Sequence, residues 1–278
     1  MDAKLTPSQD TVLLARYDEQ LRVQVEYPDA RKEVTRDVVR FTRQAPAMNF
    51  VTYTLAGEAD YERAIQEQLN HFLPLGQPFT WKLYEHDRLP GLKEKLVAHG
   101  FVLDDEDPGD MMILDVRELP PHLAEPVRAD IRRIPDRAGL RDVVQVLDGV
   151  YGNQNTWVYD RLGGHLDLPG YLSVYVAYVQ DQPAAVAWTY FPEGQFATLF
   201  AGSTLEVHRK QGLYTSLLAL RLQEIRERGR PYAIVEAGAM SKPIVSRHGF
   251  QHLTTQYDYE WKGSPTPDTP TGVSKEPT

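Results

Sequence analysis

The segment TLEVHRKQGLYTSLLALRLQEIRERGRP, residues 204–231, decides the fold of this chain. It reads as the end of a strand, a short basic loop with one glycine, and a helix that begins at Leu213. Gly229 and Pro231 follow a basic last turn, which is typical of a helix C-terminus. The helix has a wide apolar face that a sheet can bury, made of Leu213, Leu217, Leu218, Leu220, Leu222 and Ile225.

The start of this helix is unusual because it is basic rather than acidic. Its first turn holds no Asp or Glu, and Arg209 and Lys210 precede it. Residues 207–230 carry six Arg or Lys against two Glu, in a chain with 30 Lys+Arg, 39 Asp+Glu and a net charge of −9. Free backbone N–H groups at 211–215, a glycine that allows close approach and flanking cations would bind a phosphate or pyrophosphate. A solvated basic helix end, whose glycine only turns the chain, is the alternative.

Composition excludes several classes of function. The 278 residues suggest two domains of roughly 150 residues each. The absence of cysteine excludes disulfides, thiolate catalysis and Cys-type zinc sites. The acidic balance argues against nucleic acid or a membrane surface as partner, and no apolar run approaches the ~18 residues of a membrane span. The first residues lack a hydrophobic signal segment, so we expect a cytoplasmic protein.

A repeat divides the chain. His-Gly-Phe occurs at 99–101 and at 248–250, each time between a helix and a strand. Both copies predict strand, helix, Gly-Phe, strand, with the glycine ending the helix. The predicted elements are 79–86, 89–99 and 111–116 in the first copy, and 232–238, 241–248 and 254–261 in the second.

Proline-rich residues 119–126 mark a linker between the copies. We therefore expect one lobe over 1–125, a second over 126–262 and a disordered tail over 263–278, which is rich in Pro, Thr and Ser. In the first lobe, the spacing of apolar residues predicts a strand at 49–55 followed by a helix over 61–72.

The hexapeptide Arg209-Lys210-Gln211-Gly212-Leu213-Tyr214 resembles the R/Q-x-x-G-x-G/A motif of the GNAT (GCN5-related) N-acetyltransferases. In that family the motif joins a strand to a helix and binds the pyrophosphate of coenzyme A through backbone amides. The order strand, loop, helix, strand and Gly-Phe makes the resemblance specific over about 126–262. Tyr214 departs from the family's usual small residue.

The resemblance implies a mixed α/β fold with two GNAT-like lobes, each a mostly antiparallel sheet flanked by helices. It implies an acyltransferase that uses acetyl-CoA to acetylate an amine of a small molecule or peptide, as a monomer or homodimer. The residues expected to bind the cofactor are Thr204, Leu205, Glu206, Arg209, Lys210, Gln211, Gly212, Leu213, Tyr214 and Thr215. The sequence predicts no metal site.

The first lobe lacks this loop. At the corresponding place it reads Ala-Gly-Glu-Ala-Asp, residues 56–60. Glu58 and Asp60 suit the positive end of a helix dipole but would repel a pyrophosphate. We therefore interpret the first lobe as degenerate and without cofactor.

The catalytic groups are harder to assign. Transfer of an acetyl group to an amine needs a general base, and the candidates are Glu206, just before the loop, and Glu236, inside an apolar strand. Either glutamate can instead be a solvated strand-end charge or a cross-strand partner. Many family members use a tyrosine as general acid four residues before the Gly of the Gly-Phe pair, and this chain has Val245 there.

The acceptor pocket is expected between the first two strands of the second lobe, although its aromatic residues equally suit a helical lid. The polar and aromatic residues of that segment are Tyr151, Trp157, Tyr159, Asp160 and His165. The loss of the tyrosine at Val245 leaves a second hypothesis open, a non-catalytic acyl-CoA sensor or scaffold. A nucleotide-using enzyme is a third, for which the chain has no phosphate-loop motif.

Overall fold

The computed structural model describes residues 7–44, 48–152 and 155–263. Apart from Gly263, the tail for which disorder was expected lies outside these residues. The described chain forms two compact units, an N-terminal unit of residues 7–111 with 253–263 and a C-terminal unit of residues 112–252. Within the described ranges, none of the helices is long and apolar enough to cross a membrane.

The N-terminal unit is built on a mixed sheet with helices packed against it. Its elements are α1 (Pro7–Tyr17), β1 (Ala30–Val34), β2 (Val38–Arg43), β3 (Asn49–Thr54), α2 (Tyr61–Phe72), β4 (Phe79–Tyr84), α3 (Leu92–Ala98) and the first part of β5 (Val102–Asp115). The pairs β1–β2 and β2–β3 are antiparallel, and β3–β4 is parallel. Helix α2 buries Ile65, Leu69 and Phe72 against the sheet, at the spacing that the sequence predicted.

A buried arginine joins the first helices of this unit to the sheet. Arg22 is 1% exposed and donates two hydrogen bonds of 2.8 Å to Asp87, one to Asp18 and one to the carbonyl of Thr52. Asp18 also contacts His86. Asp18, His86 and Asp87 lie close enough to ligate a metal ion, but the guanidinium of Arg22 already binds both carboxylates.

The C-terminal unit contains the predicted strand–loop–helix segment. Its elements are the end of β5, α4 (Pro121–Ala124), β6 (Ile131–Ile134), α5 (Leu140–Tyr151), α6 (Trp157–Leu166), β7 (Leu172–Val179), β8 (Gln182–Tyr190), β9 (Phe196–Thr204), α7 (Leu213–Glu227), β10 (Tyr232–Ala237), α8 (Lys242–Arg247) and the start of β11 (Gln251–Trp261). Strands β6 to β9 pair antiparallel in chain order, and β10 pairs parallel with β9. The predicted mixed, mostly antiparallel α/β fold is confirmed.

Helices cover both faces of the strands in this unit. Helices α5 and α6 bury apolar side chains against Val174, Val186 and Trp188 on one face. On the other face, α7 and α8 pack through Leu222 and Val245. Successive side chains of a strand point to opposite faces of the sheet. Because helices cover both faces, the central strands need apolar side chains on both sides and are therefore continuous apolar runs in the sequence.

The boundary between the units differs from the sequence expectation of 1–125 and 126–262. The last strand of each copy belongs to the other unit: residues 112–115 of β5 lie beside β10, and residues 256–261 of β11 pair antiparallel with β4. The residues around the expected linker form a short helix, α4. Strand partners are chosen by long-range pairing, which the order of elements along the chain does not encode.

Arg22 should dominate the stability of the N-terminal unit. Arg22→Met leaves the half-buried carboxylates of Asp18 and Asp87 without their cation, and we expect a loss of about 3 kcal/mol in the free energy of unfolding. Arg31→Met is the matched control, because Arg31 is 79% exposed and, within the described residues, forms an ion pair only with Glu33. This variant should cost less than about 1 kcal/mol. Urea unfolding of the full chain measures the free energy of unfolding of both variants. Equal losses in the two variants would contradict the stabilising role of Arg22.

Candidate functional site

The two parallel strands of the C-terminal unit stop pairing several residues before the predicted loop begins. Strands β9 and β10 pair from Phe196–Tyr232 to Leu199–Val235, and β9 then continues to Thr204. Beyond the last pair lies a small cavity of about 40 Å³ that is partly open to solvent. Its wall comes from both strands and from both helices that pack on them, through Leu199, Gly202, Tyr214, Arg221, Val235 and Val245.

Strand β9 has a bulge at the cavity. The register between β8 and β9 shifts, so that Ala201 and Gly202 together face one residue of β8. Ala201 has φ +49°, a left-handed conformation that a residue with a side chain rarely adopts. A residue larger than glycine would clash at position 202, because its Cβ would lie 2.6 Å from the Tyr214 ring. β-bulges are common beside functional sites, where they change the direction of a side chain or end the strand pairing.

The N-terminus of α7 presents unpaired backbone amides to solvent. Gly212 occupies the N-cap with φ +80°, no side chain caps the helix, and the first turn has no acidic residue. Among the residues that the structure describes, the amides of 211–215 have no hydrogen-bond acceptor. Such a terminus carries about half a positive elementary charge. It is therefore a ready site for an anion.

The basic loop before the helix has a defined shape. Thr204 ends β9, and its carbonyl accepts a 3.4 Å hydrogen bond from Arg209 Nε. The Gln211 side chain donates to the carbonyl of Val207 at 3.2 Å. Arg209 and Lys210 are exposed, and neither has a carboxylate partner in the described chain. Two cations thus flank the free amides, as the sequence predicted.

The cofactor candidates are brought together, but they do not all have the same role. The residues 209–215 surround the start of α7. Leu205 packs inward against Gly149, where a Cβ would lie 2.4 Å from the leucine. Glu206 is exposed in a single 3-10 turn, Glu206–His208, rather than in the strand to which the sequence assigned it. The chain leaves the strand early because Leu205 and His208 close a turn.

Neither candidate base lines the cavity. Glu206 lies in the loop after β9, and Glu236 is a half-buried residue of β10. Since successive side chains of a strand alternate between faces, Glu236 points to the face opposite its cavity-lining neighbour Val235. The two glutamates remain predictions for the general base.

The cavity instead contains a buried cation that the sequence analysis missed. Arg221 is 2% exposed, and its guanidinium donates at 3.2 Å to the carbonyls of Leu217, Trp188 and Phe200. Burial lowers the pKa of Arg221 to about 10, which leaves it charged at neutral pH. Burial raises the pKa of the nearby Tyr214 hydroxyl, and the charge of Arg221 opposes this rise. The available signal was a charge interrupting the apolar face of α7.

The expected acceptor segment packs mainly against the sheet. Trp157 contacts Trp188 edge-on at 6.3 Å, and buried His165 hydrogen-bonds to the Tyr190 hydroxyl at 2.8 Å. Asp160 is exposed on α6. Tyr151 is 55% exposed, and its hydroxyl lies 2.9 Å from Ser203 Oγ, next to the bulge.

The corresponding region of the N-terminal unit is closed and acidic. The Trp81 indole of β4 donates a 3.0 Å hydrogen bond to Thr54 of β3, and the ring is fully buried in the core that α2 and α3 form with the sheet. Glu58 and Asp60 form a 3-10 turn at the start of α2, where Asp60 pairs with Arg63. This helix start therefore carries the negative charge that α7 lacks.

This chain resembles known proteins in its structure rather than in its sequence. No family model matches the sequence, and no curated protein matches it significantly. The structure is similar to a GCN5-related N-acetyltransferase from Kribbella flavida, with a TM-score of 0.66 and 16% identity over 92% of this chain and 95% of that one. The chain has the GNAT fold.

Two further GNAT structures support this conclusion. A GCN5-related N-acetyltransferase from Sphaerobacter thermophilus has a TM-score of 0.59 at 13% identity, covering 85% of this chain and 84% of that one. A tandem GNAT protein from the clavulanic acid biosynthesis pathway has a TM-score of 0.58 at 15% identity, covering 88% and 87%. The resemblance seen in residues 209–214 is thus confirmed at the level of the fold.

The anion site can be tested at Gly212. Gly212→Glu places a carboxylate among the free amides, and we expect acetyl-CoA affinity to fall about 100-fold or more, because each charge-assisted hydrogen bond contributes roughly 1.5–3 kcal/mol. Gly229→Glu is the matched control at the other end of α7, since both glycines have a left-handed φ and open space around them. Calorimetric titration of the folded variants measures the affinities. Unchanged affinity of the Gly212 variant would remove the site from this loop.

Proposed function

We propose that this chain is an acetyl-CoA-dependent N-acetyltransferase whose working site lies in the C-terminal unit. The observation that carries the proposal is the uncapped, basic N-terminus of α7, which directly follows a bulged, separating strand of a GNAT fold. The free amides of 211–215 would bind the pyrophosphate, and Arg209 and Lys210 would neutralise it. The donor supplies an activated acetyl thioester, and the cavity beside Gly202 gives that end of the molecule a path into the sheet.

The acceptor in this proposal is an amine of a small molecule or peptide. Its amine must lose a proton, and Glu206 or Glu236 would accept it directly or through water. The acidic chain suits a cationic acceptor and disfavours nucleic acid and anionic membranes as partners. The proposed assembly is a monomer or homodimer in the cytoplasm.

The proposed organisation is a tandem in which only one lobe binds cofactor. In the N-terminal unit, the Trp81 side chain links β4 to Thr54 of β3 beyond their last paired residues, and Glu58 and Asp60 lie at the helix start. Both features oppose a bound cofactor, one by holding the strand ends together and the other by negative charge. They support a degenerate N-terminal lobe.

One observation favours a second candidate, a non-catalytic acyl-CoA sensor. Val245 occupies the position at which many GNAT enzymes have a tyrosine that acts as general acid, and its buried apolar side chain cannot donate a proton. A thermal-shift titration with acetyl-CoA followed by a free-thiol assay over a panel of amines separates the two. Binding with thiol release supports the transferase, whereas binding without release for any amine supports the sensor. No binding by the folded chain would contradict both.

The number of sites gives a direct prediction. We expect one acetyl-CoA per chain in calorimetric titration, because the acidic start of α2 repels a second pyrophosphate. Asp60→Asn should leave that number at one, since the hydrogen bond of Trp81 still links the ends of β3 and β4. A stoichiometry of two in the unmodified chain would contradict the degenerate lobe.

The base is tested by a pair of isosteric variants. Glu206→Gln and Glu236→Gln delete basicity but keep shape, so loss of the true base should lower turnover about 10²–10⁴-fold with cofactor affinity retained. The same variant should lose the acidic limb of the pH–rate profile. Glu227→Gln, exposed at the end of α7, is the control. Full turnover and an intact acidic limb in both variants would exclude both glutamates.

A further inference from the structure

Arg221 is a buried cation without an anion. Its side chain lies inside the C-terminal unit, and no carboxylate of the described residues pairs with it. All three of its protein partners are backbone carbonyls, those of Leu217, Trp188 and Phe200. Removing a charge from water is costly unless other groups compensate it, and neutral carbonyls compensate only part of that cost. The site is therefore electropositive and incomplete.

Within the described residues, the Arg221 guanidinium does not use all of its N–H donors. Of its five N–H groups, Nε donates one hydrogen bond and Nη1 donates two. Nη2 has no acceptor anywhere in the described part of the chain, and Arg221 lines the cavity beyond the end of the β9–β10 pairing. A fixed, desolvated guanidinium with two unused N–H groups is suited to an anion or a group that becomes one.

Apolar residues form part of the cavity wall, beside the hydroxyl-bearing side chains of Tyr214 and Ser241. Val245 of α8 and Leu199 of β9 line the same cavity and are apolar. Val245 is also the position at which a tyrosine hydroxyl would be expected from the resemblance to GNAT enzymes. The cavity therefore offers the positive charge of Arg221, whereas Val245 offers no hydroxyl.

Resting on the function proposed above, we propose that Arg221 stabilises the thiolate that leaves when the acetyl thioester is cleaved. The amine nitrogen forms a bond to the carbonyl carbon, the C–S bond breaks, and its electron pair stays on sulfur. Arg221 Nη2 donates a charge-assisted hydrogen bond to that sulfur and keeps its own proton. The proton of the amine goes to the base or to water, and solvent later protonates the thiolate. The thiolate can then leave before it is protonated.

Because Arg221 also holds the bulge carbonyls, its test needs a readout beyond activity. The readout is the thiol pKa of bound coenzyme A, followed by the ultraviolet absorbance of the thiolate during a pH titration of the full chain. A cation in contact lowers a thiol pKa by about 1–3 units. We expect such a shift in the wild type, its loss in Arg221→Met and part of it in Arg221→Lys. Arg226→Met, which removes an exposed charge from the same helix, should keep the full shift.

A measurement on the wild type alone covers the case in which the variants do not fold. Calorimetric affinities for coenzyme A and for desulfo-coenzyme A are compared as the pH rises through the thiol pKa of bound coenzyme A. The ratio should increase about tenfold in favour of coenzyme A, because only the thiolate gains the contact with Arg221. A ratio independent of pH, or an unshifted thiol pKa, would overturn the role of Arg221 while binding persists. Absence of coenzyme A binding would overturn the proposed function itself.

Discussion

The organisation of the C-terminal unit depends on two parallel strands that stop pairing before they end. Strands β9 and β10 separate after Leu199 and Val235, while β9 bulges at Ala201. Where two strands stop pairing, their backbone N–H and C=O groups need other hydrogen-bond partners. Here Arg221 of α7, the helix that follows β9, donates to the carbonyl of Phe200. The gap between the two strands is the cavity into which a ligand bound at the α7 N-terminus would extend.

Helix α7 serves the site at two positions along its length. Its first turn keeps its amides free because Gly212 caps the helix without a side chain. Two turns later, Arg221 reaches the bulge and fixes the carbonyls of Trp188 and Phe200. The leucines between these positions bury the helix against the sheet. A single helix therefore links anion binding, strand separation and the charge in the cavity.

The sequence predicts local structure well and strand partnership poorly. Leu213 and Tyr61 begin their helices as expected, since apolar spacing and glycine positions specify them. The exchange of the last strands between copies was missed because pairing of residues 256–261 with 79–84 depends on contacts far apart in sequence. Arg221 was missed for a related reason: in the sequence it is one more charge of a basic helix, and only the fold places it inside.

The central claim is that the α7 N-terminus is where an anionic cofactor binds and the α2 N-terminus is not. The most direct measurement is the amide spectrum of the full chain labelled with ¹⁵N-glycine, titrated with coenzyme A, with Gly212 and Gly57 assigned through Gly212→Ala and Gly57→Ala. We expect a large shift of the Gly212 amide, because that N–H would contact the pyrophosphate, and no shift of Gly57. A shift of Gly57 with Gly212 unchanged, or no shift of either at saturating coenzyme A, would contradict the central claim.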